Sequence, residues 1–187
     1  MSDEAIYLAG LAVLTEHGSD GITLARVAAL LGVTPAAVRQ RLGSKRGLLV
    51  EMARRRAEQT EGRFAAARAA CSSPLEALLA AFAAQLDQIR EPQRLAHAIS
   101  AYTDNVGDPD MRAAFAAELA SMEGHVGDLL AEAAACGEIA GPVTAELVAT
   151  LLAAVEGTML IWSIAPRGDI EQRIDEAVRV VLGLRAR

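Results

Sequence analysis

The stretch "TPAAVRQRLGSKR", residues 34–46, gathers the side chains of this protein best suited to meet an anion. Arg39, Arg41, Lys45 and Arg46 fall within eight positions, and Gln40 stands between two of the arginines. Arg and Gln match guanine and adenine edges in a DNA major groove, and Arg and Lys also grip phosphates. Just ahead of them Pro35, Ala36 and Ala37 are small enough to let a helix backbone approach a surface closely. Two chemistries compete for such a cluster, a solvated basic face and a contact surface for a polyanion. The charge distribution leans to the second. Residues 1–56 carry eight basic and five acidic side chains, net +3, whereas residues 57–187 carry ten and nineteen, net −9. A basic head on an acidic remainder points to a polyanionic partner for the head and a different task for the rest.

Enzymatic chemistry finds no comparable foothold. His17, His97 and His125 are far apart, and no HExxH, GxSxG or phosphate-cradling glycine loop occurs. The chain is therefore expected to be no enzyme and to need neither metal nor cofactor. Cys71 and Cys136 form no CxxC pair, and "MSDEAIYLAG" lacks the basic and apolar regions of a signal peptide. A reducing, cytoplasmic setting is the expectation. The longest apolar stretch, "LVATLLAAVEGTMLIW", is interrupted by Glu156 and Gly157 and reads as a buried or interface helix, with no membrane partner.

The elements that must position these residues are helices. Hydrophobic content is 52% but aromatic content only 3%, and alanine dominates. Ala loses no side-chain entropy in a helix, so an all-α fold is expected. The pattern predicts a first helix over about 3–17 with Gly18 as its stop. A second covers "LARVAALL", capped by Thr23 and ended by Gly32. The third covers about 35–42, capped by Thr34 with Pro35 at its first position. A long fourth helix runs from Lys45 towards Ala70, capped by Ser44. Two short helices joined by a tight glycine turn form a helix-turn-helix pattern. Val38 and Leu42, spaced i and i+4, should pack back on Val27 and Leu31, leaving Ala36, Ala37, Arg39, Gln40 and Arg41 facing outwards. Gly47 stands where an acidic residue would complete a capping box, which predicts a looser start to the fourth helix. Further helices are expected over about 75–89, 92–102, 109–135, 144–165 and 169–184.

Thr23, Gly32-Val33, Ser44-Lys45 and Leu48-Leu49, with the preceding "EHG" and "GITLARVAALLGVTPAAVRQRLGSKRGLL", resemble the TetR family of bacterial transcriptional regulators. The match runs through residues 6–50. The resemblance implies a three-helix DNA-binding head, residues 1–50, on a helical effector-binding and dimerisation body, residues 51–187. It implies phosphate contacts from Thr23 and Lys45 and a major-groove face made of Thr34, Pro35, Ala36, Ala37, Arg39, Gln40 and Arg41. The chain departs from the family at Arg39, where a Tyr is common, and at Leu42, where an aromatic is. Arg39 then either reads a base or holds a phosphate. The function implied is a ligand-responsive dimeric regulator, a repressor, on a near-palindromic operator in double-stranded DNA. The alternative is a helical small-molecule or partner-binding protein whose head no longer binds DNA.

Within the body, Met111, Phe115, Met122, Met159 and Trp162 recur at near-helical spacing, as either core or the wall of an apolar effector cavity. Tyr102 and Asp104 are the candidate polar groups of such a cavity, and His97 is either a partly buried structural histidine or a further lining residue. The helices about 144–165 and 169–184 carry a stripe of Leu147, Leu151, Ala154, Thr158, Ile161 and Ala165 beside Val178, Val181 and Leu182. That stripe reads either as core or as a two-fold four-helix interface, and homodimerisation through it is expected.

Overall fold

A computed structural model of the chain describes residues 2–87 and 89–185. Among them every regular element is a helix: α1 (Asp3–Gly21), α2 (Leu24–Leu31), α3 (Pro35–Leu42), α4 (Lys45–Ala70), α5 (Pro74–Ala84), α6 (Pro92–Thr103), α7 (Pro109–Ala135), α8 (Ala145–Ile164) and α9 (Ile170–Val181). The starts are set by side-chain caps. Ser2, Thr23, Thr34, Ser44, Ser73, Asp108, Thr144 and Asp169 each accept a backbone N–H in the first turn. Each such cap contributes about 1 kcal/mol. α6 has no side-chain cap and begins with Pro92, whose missing N–H needs none.

Three helix ends differ from the sequence expectation. α1 continues to Gly21, but Gly18 has φ 71 inside it and kinks the chain. The kink is wedged by α6: a side-chain carbon at Gly18 would stand 3.2 Å from the His97 ring. His97 Nδ1 lies 2.8 Å from the Thr15 carbonyl, which only accepts, so Nδ1 carries the proton. α5 stops at Ala84 rather than near 89, because the chain tightens into turns, with Leu86 N–H donating to Ala83 and Ile89 N–H to Leu86. α9 stops at Val181, where Gly183 turns left-handed and Leu184 N–H reaches back to the Arg179 carbonyl.

Two cores form. The head core joins Ile6, Val13, Ile22, Val27 and Leu48 with Ala101 and Met111 from the body, and the body core gathers Phe64, Leu78, Phe82, Leu95, Leu130 and Leu151. α1 packs on α6 and α4 on α7. The division at residue 50 expected from sequence falls inside α4, which runs unbroken from the head into the body.

Candidate nucleic-acid interface and ligand cavity

α3 is held by one side. Val38 is fully buried, and Leu42, half-buried, packs with Leu31 against the head core that holds Val27. Thr34, Pro35, Ala36, Ala37, Arg39, Gln40 and Arg41 are all exposed, as is Thr23 at the start of α2. Lys45 is half-buried at the start of α4. The groups named from the resemblance therefore share one end of the molecule, on α3 and the two helix starts flanking it.

The four bases of the opening stretch are not equivalent. Arg41 is paired with Asp3 from the first turn of α1, its Nε 3.1 Å from the carboxylate. That hydrogen bond holds the Asp3 carboxyl below its ordinary range. Arg46 turns to the body instead, with Nε 2.5 Å from Asp108 and Nη2 2.5 Å from Asp110. The Asp108 hydrogen bond, with that of Asp110, raises the pKa of Arg46, and Arg46 in turn lowers that of Asp108. Arg39 and Lys45 have no ion-pair partner among the described residues. Arg54 and Arg55 are paired with Glu51, Glu58 and Glu4 along the outer face of α4.

Gly47 corrects the expectation of a loose helix start. A side-chain carbon there would stand 1.9 Å from the Leu42 carbonyl oxygen, so glycine is what lets α3 and α4 abut. Ser44 Oγ accepts from Gly47 N–H at 3.1 Å, which closes the cap without an acidic third residue.

The body holds a cavity of about 290 Å³ between α4, α6, α7 and α8. Tyr102, Phe115, Met122 and Met159 line it, with Arg56, Glu118 and Glu156 among the polar walls. Tyr102 and Phe115 stack at 4.1 Å between ring centres. Three of the sequence candidates lie elsewhere. His97 faces α1 as described above, Asp104 is exposed at the end of α6, and Trp162 donates from Nε1 to the Gly168 carbonyl at 3.1 Å, under α9. Only for His97 does a neighbouring helix, which single-sequence spacing does not report, decide where the side chain goes; Trp162 is held by the loop after its own helix.

The polar centre of the cavity escaped the sequence reading. Glu118 is 3% exposed. It accepts from Arg56 Nε at 2.7 Å and from Tyr102 Oη at 2.6 Å. The Arg56 guanidinium carbon also lies 4.9 Å from the centre of the Tyr102 ring. Burial opposes the Arg56 charge, but Tyr102 and Glu118 outweigh it and its pKa stands above the ordinary value. Burial pushes the Tyr102 phenol well up, so it stays a donor. The signal was present in the spacing. Glu118 interrupts the stripe Met111, Phe115, Met122, Val126, and Arg56 falls on the inner face of α4 with Met52, Thr60 and Phe64.

A second cavity of about 320 Å³ adjoins the first and shares Arg56, Gln85, Ile89 and Ala98 with it. Arg63, Glu4, Tyr7 and Asp87 are among its other walls. Among the described residues no cluster of three or more His, Cys, Asp or Glu side chains is placed to hold a metal ion. Among the helices, α8 is long and apolar enough to cross a membrane by length and composition alone. It leaves Leu160, Ile161 and Ile164 exposed near its C-terminal end, and α9 leaves Val180 exposed towards its own C-terminal end. Leu151 and Val178, expected on the same stripe, are instead fully buried in the body core.

No protein-family model matches the chain, and no curated protein does. Solved structures match it over nearly its whole length. A structure described as a TetR-family transcriptional regulator from a Rhodococcus species is 19% identical, with 96% of this chain and 97% of that one covered at a TM-score of 0.72. A transcriptional regulator from Rhodococcus sp. Rha1 is 22% identical, covering 98% and 97% at 0.74. A transcriptional regulator from Saccharomonospora viridis, in complex with choline, is 16% identical, covering 97% and 95% at 0.75. The chain has the TetR-family fold. The nine helices among the described residues match this architecture, and each of the three neighbours is described as a regulator.

Proposed function

We propose that the chain is a dimeric, ligand-responsive transcriptional repressor of the TetR family, acting in the cytoplasm on a near-palindromic operator. The observation that carries this reading is α3. It is pinned only through Val38 and Leu42 and presents Ala36, Ala37, Arg39 and Gln40 outwards, with Arg39 and Lys45 unpaired among the described residues. Small residues at its start let the backbone enter a major groove, and the α4 N-terminus beside Lys45 suits a phosphate. Thr23, Thr34 and Pro35 complete the contact, and Arg41 joins it by exchanging Asp3 for DNA.

The apolar face of α8 and α9, centred on Ile161, Ile164 and Val180, is the surface through which two copies associate. A small molecule in the body cavity shifts the spacing of the two heads only by its differential affinity for the two arrangements. A TetR-like neighbour holding choline supports a body cavity with that role.

The test is an anisotropy titration against the promoter beside the chain's own coding region, at several salt concentrations. Arg39→Ala should cost about 1–3 kcal/mol on the operator and relax discrimination at one base pair. Lys45→Ala should weaken all DNA alike and reduce the salt slope by about one. Equal, salt-only effects from both would remove the base-reading role of Arg39. The alternative, a helical ligand-binding protein without DNA affinity, is favoured by the engagement of Arg41 and Arg46 in ion pairs. It stands if no salt-sensitive, sequence-selective binding is found.

A further inference from the structure

Arg63 is the charged wall of the two cavities that the fold leaves unanswered. It lies on the inner side of α4, seven residues after Arg56, and is half-buried. Its Nε and Nη2 are shut off from solvent and meet no hydrogen-bond partner among the described residues. Its guanidinium carbon lies 5.8 Å from the centre of the Phe64 ring. Most of the other charged groups around the cavities have partners. Glu118 holds Arg56, Asp87 pairs with Arg90 at 3.1 Å, and Glu4 accepts from Gln59 at 3.3 Å. Glu156 accepts only a long hydrogen bond from Gln85 at 3.5 Å, and burial raises its pKa, which favours its neutral form. Burial, and then the like charge of Arg56, lower the pKa of Arg63. A half-buried guanidinium with two donors shut off from water and unpaired is costly, and a fold that keeps one beside an apolar cavity is poised for an anion.

Resting on the reading of the body cavity as the effector site, we propose that its effector is a small anionic amphiphile of the carboxylate class. The carboxylate meets Arg63 in the second cavity. The apolar chain passes between Gln85, Ile89 and Ala98, which both cavities share, to lie against Phe115, Met122 and Met159. The combined space suits a medium-length chain, since the first cavity alone is near the lower bound of about 300 Å³ for ligand pockets. A planar guanidinium with free donors recognises a carboxylate by paired hydrogen bonds, which an alcohol of the same length does not reproduce.

The test is calorimetric titration of the full chain with decanoate, 1-decanol and decylammonium, all below their aggregation limits, without DNA. Decanoate should bind tighter than 1-decanol by at least about tenfold. Arg63→Met should abolish that preference while leaving 1-decanol nearly unchanged, and Arg63→Lys should keep part of it. Without ligand, Arg63→Met should melt above the parent, because an unanswered charge has been removed. Equal binding of decanoate and 1-decanol, a preference that survives Arg63→Met, or a lower melting temperature for that variant overturns the anionic assignment and leaves the cavity as an apolar site. Tightest binding of decylammonium transfers recognition to Glu156 and likewise overturns it. No binding of any of the three overturns the effector-site reading together with the proposal.

Discussion

Glu118→Leu tests whether the centre of the body is held by charge pairing. The substitution keeps roughly the volume of the side chain and removes the acceptor of two short hydrogen bonds, from Arg56 at 2.7 Å and Tyr102 at 2.6 Å. Each charge-assisted bond contributes about 1.5–3 kcal/mol, and stripping one partner from a buried ion pair costs about 3–5 kcal/mol. Arg56 softens the loss, because a fifth of its side chain remains accessible and its guanidinium keeps the Tyr102 ring. The expected cost is therefore near the lower bound, about 3 kcal/mol, which lowers the melting temperature by about 6–12 °C for a chain of this size. Urea unfolding followed by circular dichroism reads it, at one protein concentration throughout because association links to stability. Arg56→Met combined with Glu118→Leu should recover at least half of the loss, since no charge is then stranded. A single-variant change under about 0.5 kcal/mol, or a double variant in which the losses simply add, would refute the reasoning.

Three further outcomes follow from the geometry. Asp3→Asn frees Arg41 from its ion pair and should steepen the salt dependence of DNA binding by up to about one unit of log–log slope, read by anisotropy. If two copies associate as proposed, Ile161→Asp with Ile164→Asp should leave a monomer in sedimentation velocity without unfolding it, because both side chains are more than half exposed in the single chain. Gly47→Ala should cost about 1–3 kcal/mol in the same urea assay, since the added carbon meets backbone rather than a movable side chain.

The head was legible from the sequence because its signals are local. Thr23, Thr34 and Ser44 cap as expected and Gly32 is left-handed, since a hydroxyl three residues before a free N–H and a glycine after a helix act within one turn. Gly47 misled, because what it abuts is the Leu42 carbonyl across a break in the helix rather than a residue of its own turn. The cavity was half legible. Tyr102, Phe115, Met122 and Met159 line it, but their spacing suits a core as well as a wall, and only the gap between α4, α7 and α8 distinguishes the two. His97 and Trp162 were lost to partners 82 and 6 residues away, and Arg56 was masked by two neighbours that do face water.

The same helix that carries the candidate effector contacts also carries a candidate DNA contact, and this limits how the two sites communicate. α4 begins at Lys45, reaches Arg56 and Arg63 in the body, and runs without a break to Ala70. Its first turn is tied to the start of α7 through Arg46 with Asp108 and Asp110, and its middle to the same helix through Arg56 with Glu118. A ligand that drew Arg63 would act on α4 between Arg56 and Arg68, which pairs with Glu132 of α7 at 2.6 Å. One that displaced Glu118 would release the middle tie itself and leave the outer two. Within the repressor reading, α4 and α7 therefore move together or not at all, and the freedom left to the head is at the α1–α6 contact, where Gly18 kinks over His97. A packed contact of that kind has few alternative arrangements, so a shift there is a switch between states rather than a continuous bend.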